Sequence, residues 1–129
     1  MKVLLDTCAI LYSEIQPKKL SAKARQILSD PETELSVSVI SVAELACGWG
    51  KRFVLKKHWK PWFREAVEEN GWQVLSLNLE IIEEAYGLPE PFHRDPVDRL
   101  MVATARLQGL ALMTNDHLIT EYPYVEVCW

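Results

Sequence analysis

Four acidic residues, Asp6, Glu44, Asp98 and Asp116, follow or open segments that would all end at the same place in a parallel sheet. Asp6 comes straight after Val3-Leu4-Leu5, a short apolar run of the kind that forms a strand buried on both faces. Asp116 follows a second such run, residues 110–113. Glu44 falls in the first turn of a helix predicted to open at Ser41, and Asp98 in the first turn of one opening at Asp95-Pro96. In open α/β sheets the crevice outside the carboxyl ends of the strands is where ligands bind. Carboxylates gathered there repel one another unless a proton or a cation neutralises them. Oxygen ligands without a Cys or His set at metal spacing favour a hard ion, Mg2+ or Mn2+. One or two such ions can activate a water and stabilise the oxygens of an in-line attack on a phosphodiester.

Each acid also has an ordinary structural use. Ser41-Val42-Ala43-Glu44 matches a capping box, in which Glu44 bonds back to its own helix start. Asp95 can cap the helix that follows it, with Asp98 set against the helix dipole. Asp116 can cap a helix too. Asp6 has less structural reason to follow a buried strand, and the shared placement of all four is what favours a site. Around them, Thr7, Thr114 and Asn115 could orient a carboxylate or a metal-bound water, or be plain turn residues. Arg99 could approach phosphate or pair with a carboxylate. His93 and Arg94 could touch substrate or decorate the surface. His58 and His117 have no partner at metal spacing and are expected in solvent.

The elements that must position these residues alternate along the chain. Strands are predicted near residues 1–5, 34–40, 72–77, 110–113 and 124–128. Helices are predicted over 7–13, 22–29 with Ser21 as cap, from Ser41 to about Gly48, 58–69 and 79–87. The clearest helix runs from Asp95-Pro96 to Gln108, with Gly109 past its end and Leu100, Ala103, Thr104 and Leu107 on one face. This alternation predicts an α/β fold, a central parallel sheet of about five strands covered on both faces. Residues 1–129 are read as one domain.

Composition narrows the class. The chain is 49% hydrophobic and 25% charged, the balance of a globular protein. Lys2 is followed by only three apolar residues before Asp6, so no secretory signal is expected, and no apolar run is long enough for a membrane span. Cys8, Cys47 and Cys128 lack metal spacing and fit reduced, small core residues in the cytoplasm. The net charge is −4, yet six of the 14 Lys and Arg lie within residues 51–64, interleaved with Trp49, Phe53, Trp59, Trp62 and Phe63. Such a stretch can hold a phosphate backbone and stack on unpaired bases. The plainer reading, an amphipathic hairpin with its aromatics inside, is the one favoured for most of it.

Taken together, Leu4-Leu5-Asp6-Thr7, Ser41 to Glu44, His93-Arg94-Asp95-Pro96-Val97-Asp98-Arg99-Leu100 and Thr114-Asn115-Asp116 resemble the PIN-domain ribonucleases, most of all the bacterial toxins often called VapC. The resemblance spans essentially the whole chain, and residues 93–100 are its most specific part. It implies a three-layer α/β/α domain with Asp6, Glu44, Asp98 and Asp116 around one or two Mg2+ or Mn2+, and metal-dependent cleavage of RNA. Asp95 in the same segment is ranked as a cap or support. The resemblance further implies a homodimer held inactive by a cognate antitoxin that covers the site. Two departures stand out: Cys8 where a His is frequent, and Val42-Ala43 where a bulkier aromatic precedes the Glu. Neither removes a carboxylate. The competing expectation is a catalytically weak PIN-fold module that binds RNA or protein. An Asp-nucleophile phosphatase is disfavoured because Cys8 stands where its second Asp would be. No Gly-rich turn follows the first strand, which disfavours a dinucleotide enzyme.

Overall fold

In the computed structural model, which describes residues 1–129, the first strand β1 (Lys2–Leu5) lies in the middle of the sheet. Val3, Leu4 and Leu5 are all fully buried. Side chains alternate across a strand, so Val3 and Leu5 enter one core and Leu4 the other. That is why the run is continuously apolar rather than alternating. Four further strands, β2 (Glu34–Ser38), β3 (Gln73–Leu75), β4 (Ala111–Met113) and β5 (Val127–Cys128), complete a sheet of order β3-β2-β1-β4-β5. Every pairing is parallel, with Leu5 opposite Val37 on one side and Met113 on the other.

Helices cover both faces. On the first lie α1 (Thr7–Ile15), α2 (Ala22–Ser29) and α4 (Trp59–Asn70), which bury Ile10, Ala24 and Phe63 with Val3 and Leu5. On the second, α6 (Pro96–Gln108) buries Met101, Val102 and Ala105 with Leu4 and Leu112. Helix α5 (Leu79–Tyr86) packs outside α6 through Ile81, Ala85, Leu100 and Ala103. α3 (Val39–Gly48) follows β2, and the short α7 (His117–Thr120) follows β4. The sheet and its strand count agree with the sequence expectation.

Four expectations need correction. The second strand stops at Ser38, not residue 40, and α3 opens at Val39. Val39 and Ile40 are β-branched and read as strand, but Ile40 packs against the cores around α5 and α6, and that contact overrides the local preference. α6 is buried over the seven consecutive residues Arg99 to Ala105, because sheet and α5 enclose it; Leu107 lies outside this enclosure and is 45% exposed. Cys8 and Cys47 are exposed, and only Cys128 is a core residue. In the basic-aromatic stretch Phe63 is buried and Phe53, Trp59 and Trp62 pack against the core, as the plainer reading expects, but Trp49, in the loop between the two helices, is 39% exposed.

Candidate active site at the carboxyl edge of the sheet

Asp6 leaves β1 at the point where the strand order reverses, between β1 and β4. Its backbone N–H donates to Met113 O at 3.2 Å, tying the two strand ends together. Its side chain caps α1, with Oδ1 accepting from Ala9 N at 2.7 Å. Thr114, fully buried after β4, hydrogen-bonds the same carboxylate. Across the reversal, Asp116 caps α7 by accepting from Leu118 N at 2.9 Å, and its own N–H donates to Thr114 Oγ1 at 3.1 Å. Thr114 therefore connects Asp6 to Asp116. Asn115 is exposed between them.

Glu44 reaches the same edge from α3, but not as a capping-box residue. Ser38 is the cap, its Oγ accepting from Ile40 N at 3.1 Å, so Glu44 falls in the second turn. Glu44 instead meets Thr7: Thr7 Oγ1 hydrogen-bonds Glu44 Oε1 and lies 3.0 Å from the buried Ser41 Oγ. A short polar cluster thus locks the start of α1 to α3. Asp98 sits in the first turn of α6, behind Asp95, whose Oδ1 accepts from Val97 N at 2.9 Å. Asp98 Oδ2 is 2.6 Å from His93 Nε2.

Arg99 does not face this cleft. It is 5% exposed, and its guanidinium donates to Ala85 O, Phe92 O and His93 O at 2.9 Å each and to Glu90 Oε1 at 3.0 Å. It pairs with a carboxylate, as one of its two expected roles allowed, and fastens the proline-rich loop that carries His93. His93 is the residue sequence reasoning valued too little. Its contact with Asp98 is made across a loop whose path no local pattern reveals. His58 is exposed, as expected, and also caps α4, accepting from Lys60 N at 3.2 Å.

The electrostatics mark the cleft. Burial, together with the charges of Asp98 and Glu44, pushes the Asp6 carboxyl up to about 6, against the opposing bonds from Thr114 and Ala9. Burial also raises Glu44, with Asp98 adding to it, and raises Asp98, with Asp95 and Asp116 adding to it. The Cys8 thiol is pushed up to about 11 by its crowded surroundings and by the charges of Asp6, Glu44, Asp116 and Asp98. Asp6, Glu44 and Asp98 therefore feel one another's charge, and Asp98 also feels that of Asp116. That disfavours the Cys8 thiolate and with it a nucleophilic role. No Lys or Arg forms an ion pair with any of the four.

This donor set fits a hard divalent ion by its all-oxygen chemistry and its excess of negative charge. No three of the His, Cys, Asp and Glu side chains are close enough to form a ready-made cage. Each carboxylate is held instead by a local partner: Ala9, Thr7, His93 or Leu118. Mg2+ is ordinarily held through one or two carboxylates and several waters, and a closed protein cage is not required for it.

Sheet order, helix placement and acid edge together define a PIN domain. The PIN-domain family model matches residues 3–123, and the chain belongs to that family. It is 31% identical over 123 residues to Ribonuclease VapC22 of Mycobacterium tuberculosis, covering 93% of this chain and 91% of that protein. Its fold is similar to that in VapBC2 from Rickettsia felis bound to a DNA fragment from their promoter, with a TM-score of 0.72, 17% identity and coverage of 99% and 98% of the two chains. FitAcB from Neisseria gonorrhoeae is similar at a TM-score of 0.60 and 21% identity, over 97% and 95%. No helix is long and apolar enough to cross a membrane.

Proposed function

We propose that this protein is a metal-dependent endoribonuclease, the toxin of a toxin–antitoxin pair, with Asp6, Glu44, Asp98 and Asp116 as its metal-binding and catalytic acids. One observation carries the site assignment: these acids share the carboxyl edge of the sheet and none forms an ion pair with a Lys or Arg. The reaction class is supported by membership of the PIN family and by the likeness to a named ribonuclease. Mg2+, with Mn2+ as its substitute, is the ion the oxygen donors suit. When bound, it supplies a nucleophilic water and charge for the phosphate oxygens.

The chain's own residues prepare that chemistry. Thr114 and the Ala9 amide fix the Asp6 carboxylate. Thr7 fixes Glu44, and His93 fixes Asp98. Asp95 sets the first turn of α6, and Arg99 fastens the loop from which His93 projects. Asn115, exposed beside Asp116, is placed to contact substrate or bound water.

The partners follow from the same reading. RNA is the substrate, and a cognate antitoxin is the regulator, in keeping with the VapBC and FitAB complexes whose fold this chain shares. Leu79, Ile82 and Tyr86 leave an exposed apolar stripe on α5, which supports a homodimer. Exposed free thiols at Cys8 and Cys47 suit the reducing cytoplasm. Purified protein should cut a mixed-sequence RNA with Mg2+ or Mn2+ present, and EDTA or Asp6→Asn should abolish the cut. Undiminished cleavage by that variant, with contaminating nuclease excluded, overturns the assignment.

A further inference from the structure

An acid cleft in a protein of net charge −4 repels a polyanion, so a substrate strand needs cations beside the cleft. Arg99 is buried and fully engaged, and Arg106 is paired with Glu84. Lys2 opens β1, at the opposite edge, and Lys18 and Lys19 follow α1 on its way back to that edge. Apart from Lys23, Arg25 and Arg94, every other cation of the chain belongs to residues 51–64. Because α4 ends just before the parallel strand β3, it must begin near the carboxyl edge, which brings residues 49–60 to that side. Lys51, Arg52, Lys56, Lys57, Lys60 and Arg64 are all exposed, and only Lys57 has an ion-pair partner, Glu65.

The front of this segment is a built knuckle rather than a slack loop. Gly48 O accepts from Lys51 N and from Phe53 N at 3.0 Å each, and Gly50 N donates to Phe53 O at 3.1 Å. Gly50 sits at φ +76, a conformation open to glycine. The Phe53 ring lies directly on Gly48: a Cβ there would be 2.6 Å from it, and 3.4 Å from Arg52 Nε. Gly48 and Glu44 are four residues apart on α3, hence stacked on one face about 5–6 Å from each other. Arg52 is thus held one helical turn from an acid of the cleft. On the other side of the knuckle, the exposed Trp49 ring stands 4.6 Å from His58, which lies 5.2 Å from Trp59.

Resting on the ribonuclease reading above, we propose that residues 49–64 form the docking track for the single-stranded RNA substrate, with Lys51 and Arg52 holding phosphate beside the cleft and Trp49 stacking on an unpaired base. Cations spaced along a helix start and a turn neutralise successive phosphates, and an exposed aromatic face accepts any base. An acidic peptide would use the cations but has no base to place on Trp49.

Binding of a fluorescein-labelled single-stranded RNA of mixed sequence, in EDTA to prevent cleavage, tests this across a series of salt concentrations. Lys51→Gln/Arg52→Gln should flatten the log Kd against log salt slope by about 1.4, roughly 0.7 per cation removed. Trp49→Ala should weaken binding by roughly fivefold or more. The control Lys18→Gln/Lys23→Gln, away from the track, should leave slope and affinity unchanged. Equal slopes for wild type and the Lys51/Arg52 double variant, with circular dichroism confirming the fold, overturn the track. So does an equal loss in the control, which means diffuse binding, or loss of an acidic peptide with RNA binding intact. Cleavage by the same preparations in Mg2+ separates the two ideas. A wild type that cuts RNA while the double variant binds normally sinks the track alone, and an Asp6→Asn variant that still cuts sinks the reading of the acids.

Discussion

The four carboxylates of the cleft are treated in the opposite way to three carboxylates outside it. Outside, Glu84 pairs with Arg106 at 2.8 Å, Glu90 with Arg99 at 3.0 Å, and Glu65 with Lys57 at 2.5 Å. Inside, Asp6, Glu44 and Asp116 have no cationic partner, and Asp98 has only His93. The Phe92 amide and the Arg99 guanidinium, both donating to Glu90, lower its carboxyl, whereas burial and neighbouring acids raise those of Asp6, Glu44 and Asp98. The lesson is that Lys and Arg are spent on Glu65, Glu84 and Glu90, while none is committed to the four acids at the carboxyl edge. A protein with no use for a cation there would gain stability by losing an acid.

Substitutions on either side can break or sharpen this contrast. The largest effect is expected on the balanced side. Arg99→Met strands the carbonyls of Ala85, Phe92 and His93 and should cost about 3–5 kcal/mol in urea unfolding. A loss below about 1 kcal/mol would mean that the guanidinium does not fasten the loop. Next comes Asp6→Asn, which keeps a capping oxygen for Ala9 while removing the charge. The folded-state value of about 6 lies above the ordinary 3.8, so ionising Asp6 penalises the folded state. In metal-free protein the variant should therefore be more stable above about pH 6, by up to about 3 kcal/mol. The advantage should shrink as pH falls and vanish below about pH 4, where the carboxyl is protonated folded or unfolded. Melting curves of both proteins across that range check the sign, and a variant less stable at pH 7.5 would contradict it.

His93→Ala is a subtler probe of the unbalanced side. It should weaken Mn2+ binding roughly tenfold to a hundredfold, the usual effect of removing a group that orients a metal-bound carboxylate. Calorimetric titration reads this directly, and His93→Gln should recover part of it. Unchanged affinity would reduce the His93–Asp98 contact to loop packing. The smallest effect belongs to Lys57→Gln. Its pair with Glu65 is about half exposed, so its loss should change stability by less than about 1 kcal/mol and vanish in high salt.

The skeleton of the site was legible because local signals and tertiary packing agree there. Val3-Leu4-Leu5 can be continuously apolar only with both faces covered, and that places Asp6 at a strand end. Asp95-Pro96 with Gly109 fixed both ends of α6, since cap, ring and left-handed residue act within a few residues of themselves. Long-range contacts were not legible. Ser41 and Glu44 satisfy a capping-box pattern, yet Ser41 is buried against Thr7, 34 residues away in the chain. Arg99 is as polar as any surface residue, and only the path of the loop at residues 85–93 reveals why it is buried. Cys8 and Cys47 were misplaced because thiols are read by their average burial, and neither points into a core here.

Asp6 also closes the first turn of α1 through the Ala9 amide. The group expected to bind the ion is therefore the clasp of a helix, and Thr7, the next residue, links that helix to Glu44. Loading the cleft and stiffening α1 become one event, so a regulator able to loosen that first turn could silence the enzyme without touching a single carboxylate.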